Sequence, residues 1–428
     1  MENRKEEPFD TTTDPGAFAG IDYVKITILG FALTALWSSL HTIVLPLRLL
    51  DFVPEASKNT YLGYLTFAGL VLAMLVQPII GARSDRSGFR WGRRKPYILV
   101  GAVATLLLLP GIGLWSSYAL VFVFYCLLQV ATNTAQGPYQ GFIPDLVPTD
   151  KRGRASGVKS LLELLGGITL ARLAAYFMDR YSPDDGAYWL WLTLGTLGAV
   201  LLVATLVTLL AVRERPGTSA PRPRLLPDLV RSFRINVKQE PDFAWFLVSR
   251  GVMAIPGVIL QTFALYYLAD VIGVDSPAEA AANLLIAVGV GLVVTVYLTG
   301  RLSDRVGRRP IVVASGLLGA VGVILLYFSH DLTTVLASGA VIGLANGALL
   351  SAAWALAADL APRNAGARYL GLTNLALAAG SALARLIGPV IDFFNRYGEN
   401  LGYSVMLLVC LVCFIAGSLL VLKVKRIR

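Results

Sequence analysis

The stretch that decides the fold is GARSDRSGFRWGRRKP, residues 81–96, which lies between two long apolar runs. It surrounds one carboxylate, Asp85, with the cations Arg83, Arg86, Arg90, Arg93, Arg94 and Lys95. A second version, GRLSDRVGRRP, occupies residues 300–310. Short basic loops between apolar runs are typical of the cytoplasmic side of membrane proteins. The chain therefore reads as two related halves, each with a basic cytoplasmic loop at the same place.

The composition is that of a membrane protein. Apolar residues make up 56% of the 428 and charged residues 15%, with a mean hydropathy of +0.66, whereas soluble domains are about a quarter charged. The net charge of +10 would suggest nucleic-acid binding in a soluble chain. Here the cations lie in loops, where they set topology. We therefore expect a lipid bilayer around the chain and no nucleic-acid partner.

The reactive side chains do not form a pattern for catalysis. Cys126, Cys410 and Cys413 all fall in apolar runs, which implies neither a disulfide framework nor a metal cage. His41 and His330 are far apart in the chain, without a nucleophile–base pattern or a phosphate-binding loop. We expect no enzymatic activity, no metal and no cofactor.

Twelve apolar runs are long enough to cross a bilayer of about 30 Å, which takes roughly 20 helical residues. They lie near residues 25–50, 60–82, 96–114, 118–143, 155–178, 188–212, 242–269, 278–300, 310–329, 332–357, 368–392 and 401–422. This predicts a first half over residues 1–212, a cytoplasmic linker over 213–241 and a second half over 242–428. The odd-numbered connectors hold only Lys58, Arg180 and Arg396, whereas the even-numbered ones hold many cations. Both termini are therefore expected in the cytoplasm, in a multi-pass protein of the cell membrane.

An internal repeat extends beyond the two basic loops. DLVPTDKRGRASG at residues 145–157 matches DLAPRNAGARYLG at 359–371, and LARL at 170–173 recurs at 383–386. Span 5 thus corresponds to span 11. Duplicated six-span halves predict an alternating-access transporter with its substrate site near the midplane, between the halves.

The loop at residues 300–309 carries the pattern G-x-x-x-D-R-x-G-R-R and resembles that of the major facilitator superfamily. This resemblance implies an all-α, twelve-helix membrane fold of two pseudo-symmetric six-helix halves. The first-half loop places five residues between its Asp-Arg pair and its Gly-Arg-Arg triplet. That longer loop is similar to the corresponding loop of the plant sucrose/proton symporters, their animal relatives and the glycoside-pentoside-hexuronide cation symporters.

Two further segments carry the same resemblance, which is specific over roughly residues 30–170. They are Trp37 with Pro46 nine residues later, and Asn133 followed by Gln136-Gly137-Pro138. The resemblance implies secondary transport of a glycoside, with a disaccharide such as sucrose or maltose as the expected substrate, by proton symport in a monomer. Uniport, or antiport export of a sugar or another small amphipathic solute, would suit the same fold. A channel or a non-transporting scaffold is disfavoured by the lack of a charged ring or filter-like segment.

Span 4 carries a stripe of amides. Gln129, Asn133, Gln136 and Gln140 are spaced 4, 3 and 4 apart, which places them on one helical face. Amides both donate and accept, as sugar hydroxyls do, so we expect the stripe to bind substrate; hydrogen bonding that only packs span 4 is the alternative. Trp37 is expected to stack on the sugar. Further candidates on span 7 are Arg250, Gln261, Tyr266 and Tyr267.

The coupling group is expected on span 5. In the sucrose carriers an aspartate stands where this chain has Gln129, so coupling at that position is absent here. Glu163, one turn from Lys159, is the remaining deep carboxylate, and it could exchange a proton as water access changes sides. A purely structural Lys159–Glu163 pair is the alternative.

Two arginines complete the intramembrane candidates. Arg172 lies nine residues after Glu163, on the opposite face of a straight helix, and we group it with the coupling residues. In span 11, Arg385 shares a stripe with Asn374, Ser381 and Asp392, and we expect Arg385 and Asn374 to line the cavity. Alternatively, both arginines act as struts of an outer gate, pairing across the two halves or with carbonyls.

The basic loops are expected to form a cytoplasmic gate. Their aspartates would accept from backbone N–H groups at a neighbouring helix start, and their arginines would pair with carboxylates across the halves. The alternative is a charge cluster that serves topology alone. The gate residues are Asp85, Arg86, Arg93, Arg94, Asp145, Asp304, Arg305 and Arg308.

Overall fold

The computed structural model describes residues 20–182, 187–214, 240–361 and 366–425, without the side chains at 304 and 366–368. Twelve helices in this part are long and apolar enough to cross a membrane, which confirms the predicted number. They are α1 (Gly20–Leu49), α2 (Glu55–Ser84), α3 (Lys95–Leu114), α4 (Tyr118–Leu146), α5 (Thr149–Met178), α6 (Tyr188–Ala211), α7 (Pro241–Ile272), α8 (Pro277–Ser303), α9 (Arg308–Tyr327), α10 (Leu332–Leu360), α11 (Tyr369–Asn395) and α12 (Leu401–Val421). Most of the predicted linker, residues 215–239, lies outside the described part.

Local signals set several helix ends. Proline occupies the first turn of α3, α7 and α8, where its missing N–H costs nothing. Asp331 caps α10 by accepting a hydrogen bond from the backbone N–H of Thr334 at 3.0 Å. Gly307, at φ 97°, makes the sharp turn between α8 and α9, a backbone conformation that favours glycine.

The same helix pairs pack in both halves. In the first half α1 contacts α5 and α6, α4 contacts α2 and α3, and α3 contacts α6. In the second half α7 contacts α11 and α12, α10 contacts α8 and α9, and α9 contacts α12. The halves meet along α2 with α11 and along α5 with α8, two pairs that the duplication relates to each other. This is the pseudo-symmetry that the repeated loops predict.

Glycines permit the closest helix contacts in the second half. A Cβ added at Gly343 of α10 would lie 2.2 Å from the carbonyl oxygen of Val288 on α8. One added at Gly347 would lie 2.4 Å from the carbonyl oxygen of Leu292. The two backbones can therefore touch only because these side chains are absent.

Three helices depart from regular geometry. Leu40–Val44 in α1 and Leu268–Ile272 in α7 are π-helical turns, which insert an extra residue and are frequent at functional sites. Helix α11 is interrupted after Arg385 and resumes at Gly388. The stripe predicted along span 11 is therefore broken, and Asp392 belongs to a separate short helix.

Two ends of the bundle are distinguished by charge. We call the end that carries residues 83–95, 151–154 and 301–309 the basic face, and the other end the opposite face. Helix α2 begins at the opposite face and α7 and α11 end there.

Candidate transport site

Polar contacts between the halves gather at the opposite face. Lys58, at the start of α2, forms an ion pair with Asp270 at the end of α7, Nζ to Oδ1 at 2.8 Å. Asp392 accepts from the backbone N–H of Thr60 at 2.6 Å and from the amide of Asn59 at 2.9 Å. The α11 carboxylate thus caps the first turn of α2 across the interface.

Two more contacts join the halves close by. Arg172 of α5 pairs with Glu279 in the first turn of α8 at 2.6 Å, and the Tyr266 hydroxyl donates to the carbonyl of Pro46 at 2.8 Å. Arg172, which was grouped with Glu163, thus pairs across the two halves, as the alternative of an outer strut describes. These contacts close the interface between the halves at the opposite face.

On the basic face, the ion pairs of the first-half loop stay within that half. Arg94 pairs with Asp85 at 2.7 Å and with Asp145 at 2.6 Å. Arg93 also pairs with Asp145, at 2.5 Å. The expectation that Asp85 accepts from a helix-start N–H was wrong in this conformation, because its carboxylate is bound by the Arg94 guanidinium.

Glu214 makes the backbone contact that was expected of Asp85. It accepts from the N–H groups of Arg94 and Lys95, at 3.1 and 3.2 Å, where α3 begins. Gly92, at φ 125°, leaves room for it, since an added Cβ would lie 2.1 Å from the Glu214 carboxylate. Burial raises the pKa of the Glu214 carboxyl, against the opposing effect of these two donors. No local pattern predicts this contact, because Arg94 and Glu214 are 120 residues apart in the chain.

The other predicted gate residues are distributed over both loops. Arg308 pairs with Asp359 of its own half at 2.6 Å. Arg86 is half-buried and Arg305 is exposed. The side chain of Asp304 lies outside the described part. Among the described residues, Arg93, Arg94 and Arg308 pair within their own halves, and the pairing of loop arginines across the halves stays a prediction.

An aromatic and amide cluster lies between α1 and α4. The ring of Trp37 stacks on His41 with centroids 4.9 Å apart and meets Tyr125 edge-on at 6.0 Å. The Tyr125 hydroxyl lies 2.9 Å from His41 Nε2 and accepts from the Gln129 amide at 2.9 Å. Asn133 donates to the Gln129 side-chain oxygen at 3.2 Å. We call these five residues the α1–α4 cluster; Tyr125 was not predicted, since a tyrosine in an apolar run gives no signal.

The predicted amide stripe is divided between two environments. Gln129 and Asn133 are buried and belong to the cluster, whereas Gln136 is half-buried and Gln140 is exposed at the end of the helix. The first two amides bind each other as well as Tyr125. Part of the stripe thus fits the packing alternative, and the rest remains available to a ligand.

Arg385 packs against the first half, although it belongs to the second. A Cβ added at Gly63 of α2 would lie 2.4 Å from the Arg385 carbonyl oxygen. One guanidinium nitrogen donates to the carbonyl of Ser381 at 2.7 Å, and within the described residues its Nε has no acceptor. Asn374 is exposed and lies eleven residues earlier, about 16 Å along the helix. The structure therefore places Arg385 at the interface between the halves and leaves Asn374 apart.

Glu163 lies where α5 packs against α1 and α4. Its carboxylate is 3.7 Å from the Lys159 ammonium. A Cβ added at Gly30 of α1 would lie 2.8 Å from the carboxylate and 2.3 Å from the Tyr139 hydroxyl of α4. The carboxylate and the tyrosine thus meet at a glycine that allows the close approach.

A cavity of about 390 Å³ extends through the second half towards the first. Its walls are mostly apolar and come from α7, α8, α10 and α11, with Thr42 of α1 and Leu164 of α5 at its edge. Its polar side chains include Arg250, Gln261 and Asn346. Asn346 was missed because a lone amide in an apolar run resembles a packing residue.

The sequence also matches the model of a known protein family. Residues 27–395 match the model described as MFS/sugar transport protein. The chain therefore belongs to the MFS/sugar transport protein family, a family of membrane transporters and not of enzymes, as the repeated loops predict.

Individual relatives are similar over shorter segments. The chain is 30% identical to the minor myo-inositol transporter IolF of Bacillus subtilis over 131 residues, 31% of this chain and 30% of the relative. It is 27% identical to the sucrose transport protein SUC3 of Arabidopsis thaliana over 192 residues, 38% of this chain and 32% of the relative. Each match thus spans about a third of the relative's length.

A solved structure supports the fold over nearly the whole chain. The crystal structure of a D-xylose-proton symporter superposes with a TM-score of 0.71 at 17% identity, covering 95% of this chain and 98% of that one. The likeness establishes the twelve-helix architecture.

Proposed function

We propose that this protein is a secondary transporter that moves a glycoside, such as the disaccharides sucrose or maltose, across the cell membrane as a monomer. The proposal rests on the polar contacts that join the halves at the opposite face. They are the Lys58–Asp270 and Arg172–Glu279 ion pairs and the Asp392 cap of α2. Polar contacts that join the halves at one end of the bundle and can break are what alternating access requires. With the basic face in the cytoplasm, this conformation faces inward.

The α1–α4 cluster is proposed to receive the sugar. Trp37 offers a ring for stacking, and Asn133 and Gln136 offer amide groups that both donate and accept. Arg385, at the interface between the halves, supplies a donor from the second half. Contacts from both halves would let substrate binding favour their closure around it.

Proton symport is proposed to depend on Glu163. When ionised, its carboxylate attracts Lys159 at 3.7 Å; when protonated, that attraction is lost and the α1–α5 contact changes. Gln129 is an amide, so it cannot exchange a proton. Because one carboxylate then carries the coupling, uniport is the second candidate, favoured by Gln129 itself.

The loop pairs are proposed to act as the cytoplasmic gate. Arg94 binds both Asp85 and Asp145 and so ties α2, α3 and α4 together at the basic face. A rigid corner of this kind allows the half to rock as a unit when the opposite-face contacts break.

The test is uptake of labelled sucrose and maltose into proteoliposomes, with and without an inward proton gradient. Accumulation driven by the gradient would support symport. Equilibration without accumulation would support uniport, and outward movement against an imposed gradient would support export. If neither sugar moves in any condition, the neutral disaccharides are not the substrates.

A further inference from the structure

Arg250 on α7 is a buried cation. Only 5% of the residue is exposed, and in the part of the chain that the structure describes its Nε has no hydrogen-bond acceptor. Within the residues that the structure describes, Arg250 takes part in no ion pair. It lies nine residues into α7, about 14 Å from the start of the helix, well inside the membrane-spanning segment.

The cavity that Arg250 lines contains a second polar group without a hydrogen-bond partner among the described residues. Thr42 of α1 is 2% exposed, lines the same cavity, and its hydroxyl has no partner in the described part of the chain. Ser381 also lines it, and the next turn of α11 holds Arg385 with its own unbound Nε. One polar group from each half, the Thr42 hydroxyl and Arg250 Nε, thus lines the same space and has no hydrogen-bond partner in the described part of the chain.

The nearby carboxylate of the first half is already engaged. Leu164 reaches the cavity edge, and its neighbour Glu163 lies 3.7 Å from Lys159. Arg250 and Arg385 therefore leave this region with an excess of positive charge. A buried cation without a partner is unfavourable, and neutral hydroxyls would satisfy its donors without balancing its charge.

We propose that the cavity binds an anionic group of the substrate, a carboxylate or a phosphate ester, and that Arg250 is its direct ligand. The planar guanidinium presents paired N–H donors that match either group. Asn346 also lines the cavity, and its amide nitrogen lies 3.6 Å from the position of a Cβ added at Gly257. Gly257 is two turns along α7 from Arg250, so Asn346 would bind the sugar hydroxyls of the same ligand. This inference rests on the proposed transport function, and in place of the neutral disaccharides it expects glycosides that carry an acidic group.

The size and walls of the cavity fit such a ligand. Its volume of about 390 Å³ lies at the lower end of the range for small-molecule sites, about 300–1,000 Å³. The apolar walls exclude water, and this strengthens the attraction between a guanidinium and an anion.

Binding to the purified full-length protein tests the inference with ligands that differ in one group. The probes are methyl β-D-glucuronide, its neutral counterpart methyl β-D-glucoside, and glucose 6-phosphate, each measured by titration calorimetry. We expect at least one acidic probe to bind about 30-fold or more tightly than the neutral glycoside. The stronger of the two acidic probes identifies carboxylate or phosphate as the group recognised.

Variants assign the effect to Arg250. Arg250→Gln should remove the preference for the acidic probe, and Arg250→Lys should retain part of it, because charge remains while the paired geometry is lost. Arg396→Gln removes the same charge from an exposed site and should leave affinity unchanged. If Arg250→Gln does not fold, the wild-type and lysine proteins still decide.

Two results would overturn the inference and are distinguishable from failure of the transport proposal. Equal binding of acidic and neutral probes, or a preference that survives Arg250→Gln, would show that Arg250 binds no substrate anion. Transport of neutral sugars alone would reject the inference while the transport proposal stands. Transport of neither kind would reject both.

Discussion

Proton coupling can be tested by one substitution at Glu163. Replacing it with glutamine fixes a neutral group of the same size beside Lys159, so the site can no longer exchange a proton. We expect Glu163→Gln to reduce gradient-driven uptake to the level found without a gradient, while substrate exchange at equal concentrations continues. Proteoliposome uptake and counterflow measure the two activities separately.

The control for this test is Glu399→Gln, which removes an exposed carboxylate at the opposite face and should affect neither activity. Full uphill uptake by Glu163→Gln would leave the carboxylate with only the structural role of pairing with Lys159.

A substitution at Gly343 tests whether the packing of α10 against α8 requires a residue without a side chain. A leucine there would meet the Val288 backbone, from which even a Cβ would be only 2.2 Å away. Overpacking of this kind costs about 1–3 kcal/mol, so we expect Gly343→Leu to lower the midpoint of thermal unfolding. Gly195→Leu on α6, where nothing lies within 4 Å of an added Cβ, should unfold at the wild-type temperature.

At the scale of the element, Asp392 connects α11 to the start of α2. Asp392→Asn weakens two hydrogen bonds across the interface. Bonds to a charged group contribute about 1.5–3 kcal/mol, so the population open at the opposite face should rise by about 10- to 100-fold. Spin labels at Glu55 and Glu399, in a background without native cysteines, should report a longer distance.

Asp51→Asn is the matched control for Asp392. Asp51 is a half-buried carboxylate near the opposite face, but it pairs with Arg48 of its own half. Asp51→Asn should lower the free energy of unfolding without lengthening the distance between the spin labels. An unchanged distance in Asp392→Asn would mean that the cap does not hold the halves together.

The basic loop makes a different prediction, because its pairs lie within one half. Asp85→Asn frees one side of Arg94 while Asp145 keeps the other. The fold should persist and the gate should loosen, so transport should fall by more than surface expression. Arg90→Gln, an exposed change in the same loop, should alter neither, and equal losses of transport and expression in Asp85→Asn would favour a role in topology or folding alone.

Local sequence patterns were sufficient for the helices but not for contacts between them. Hydropathy placed span 8 at 278–300, and α8 runs over Pro277–Ser303. Arg172 and Glu279, by contrast, are 107 residues apart in the chain, and nothing local relates them. The α1–α4 cluster was found in part, because Trp37 and Asn133 carry the family resemblance, while Tyr125 is recognisable only once α1 and α4 are packed together.

For the whole molecule, the distribution of cations predicts orientation. Membrane-impermeant maleimide applied to intact cells should label Glu55→Cys and not Arg90→Cys, since the basic face belongs in the cytoplasm. Permeabilised cells supply the control, because both positions are exposed and should then react. The reverse labelling would place both faces, and hence the direction of opening, the other way round.

The π-helical turn at Leu40–Val44 makes the length of α1 part of the site. Deleting one residue there would restore a regular helix and keep the flanking segments in phase, because the turn already absorbs one extra residue, whereas inserting another would rotate Trp37 by about 100° relative to Pro46. After such an insertion Trp37 would leave the side of Tyr125, although it had not been replaced. We therefore expect this transporter to tolerate substitutions of the apolar residues in that turn and no single-residue insertion, and alignments of its relatives should show no added residue between Trp37 and Pro46.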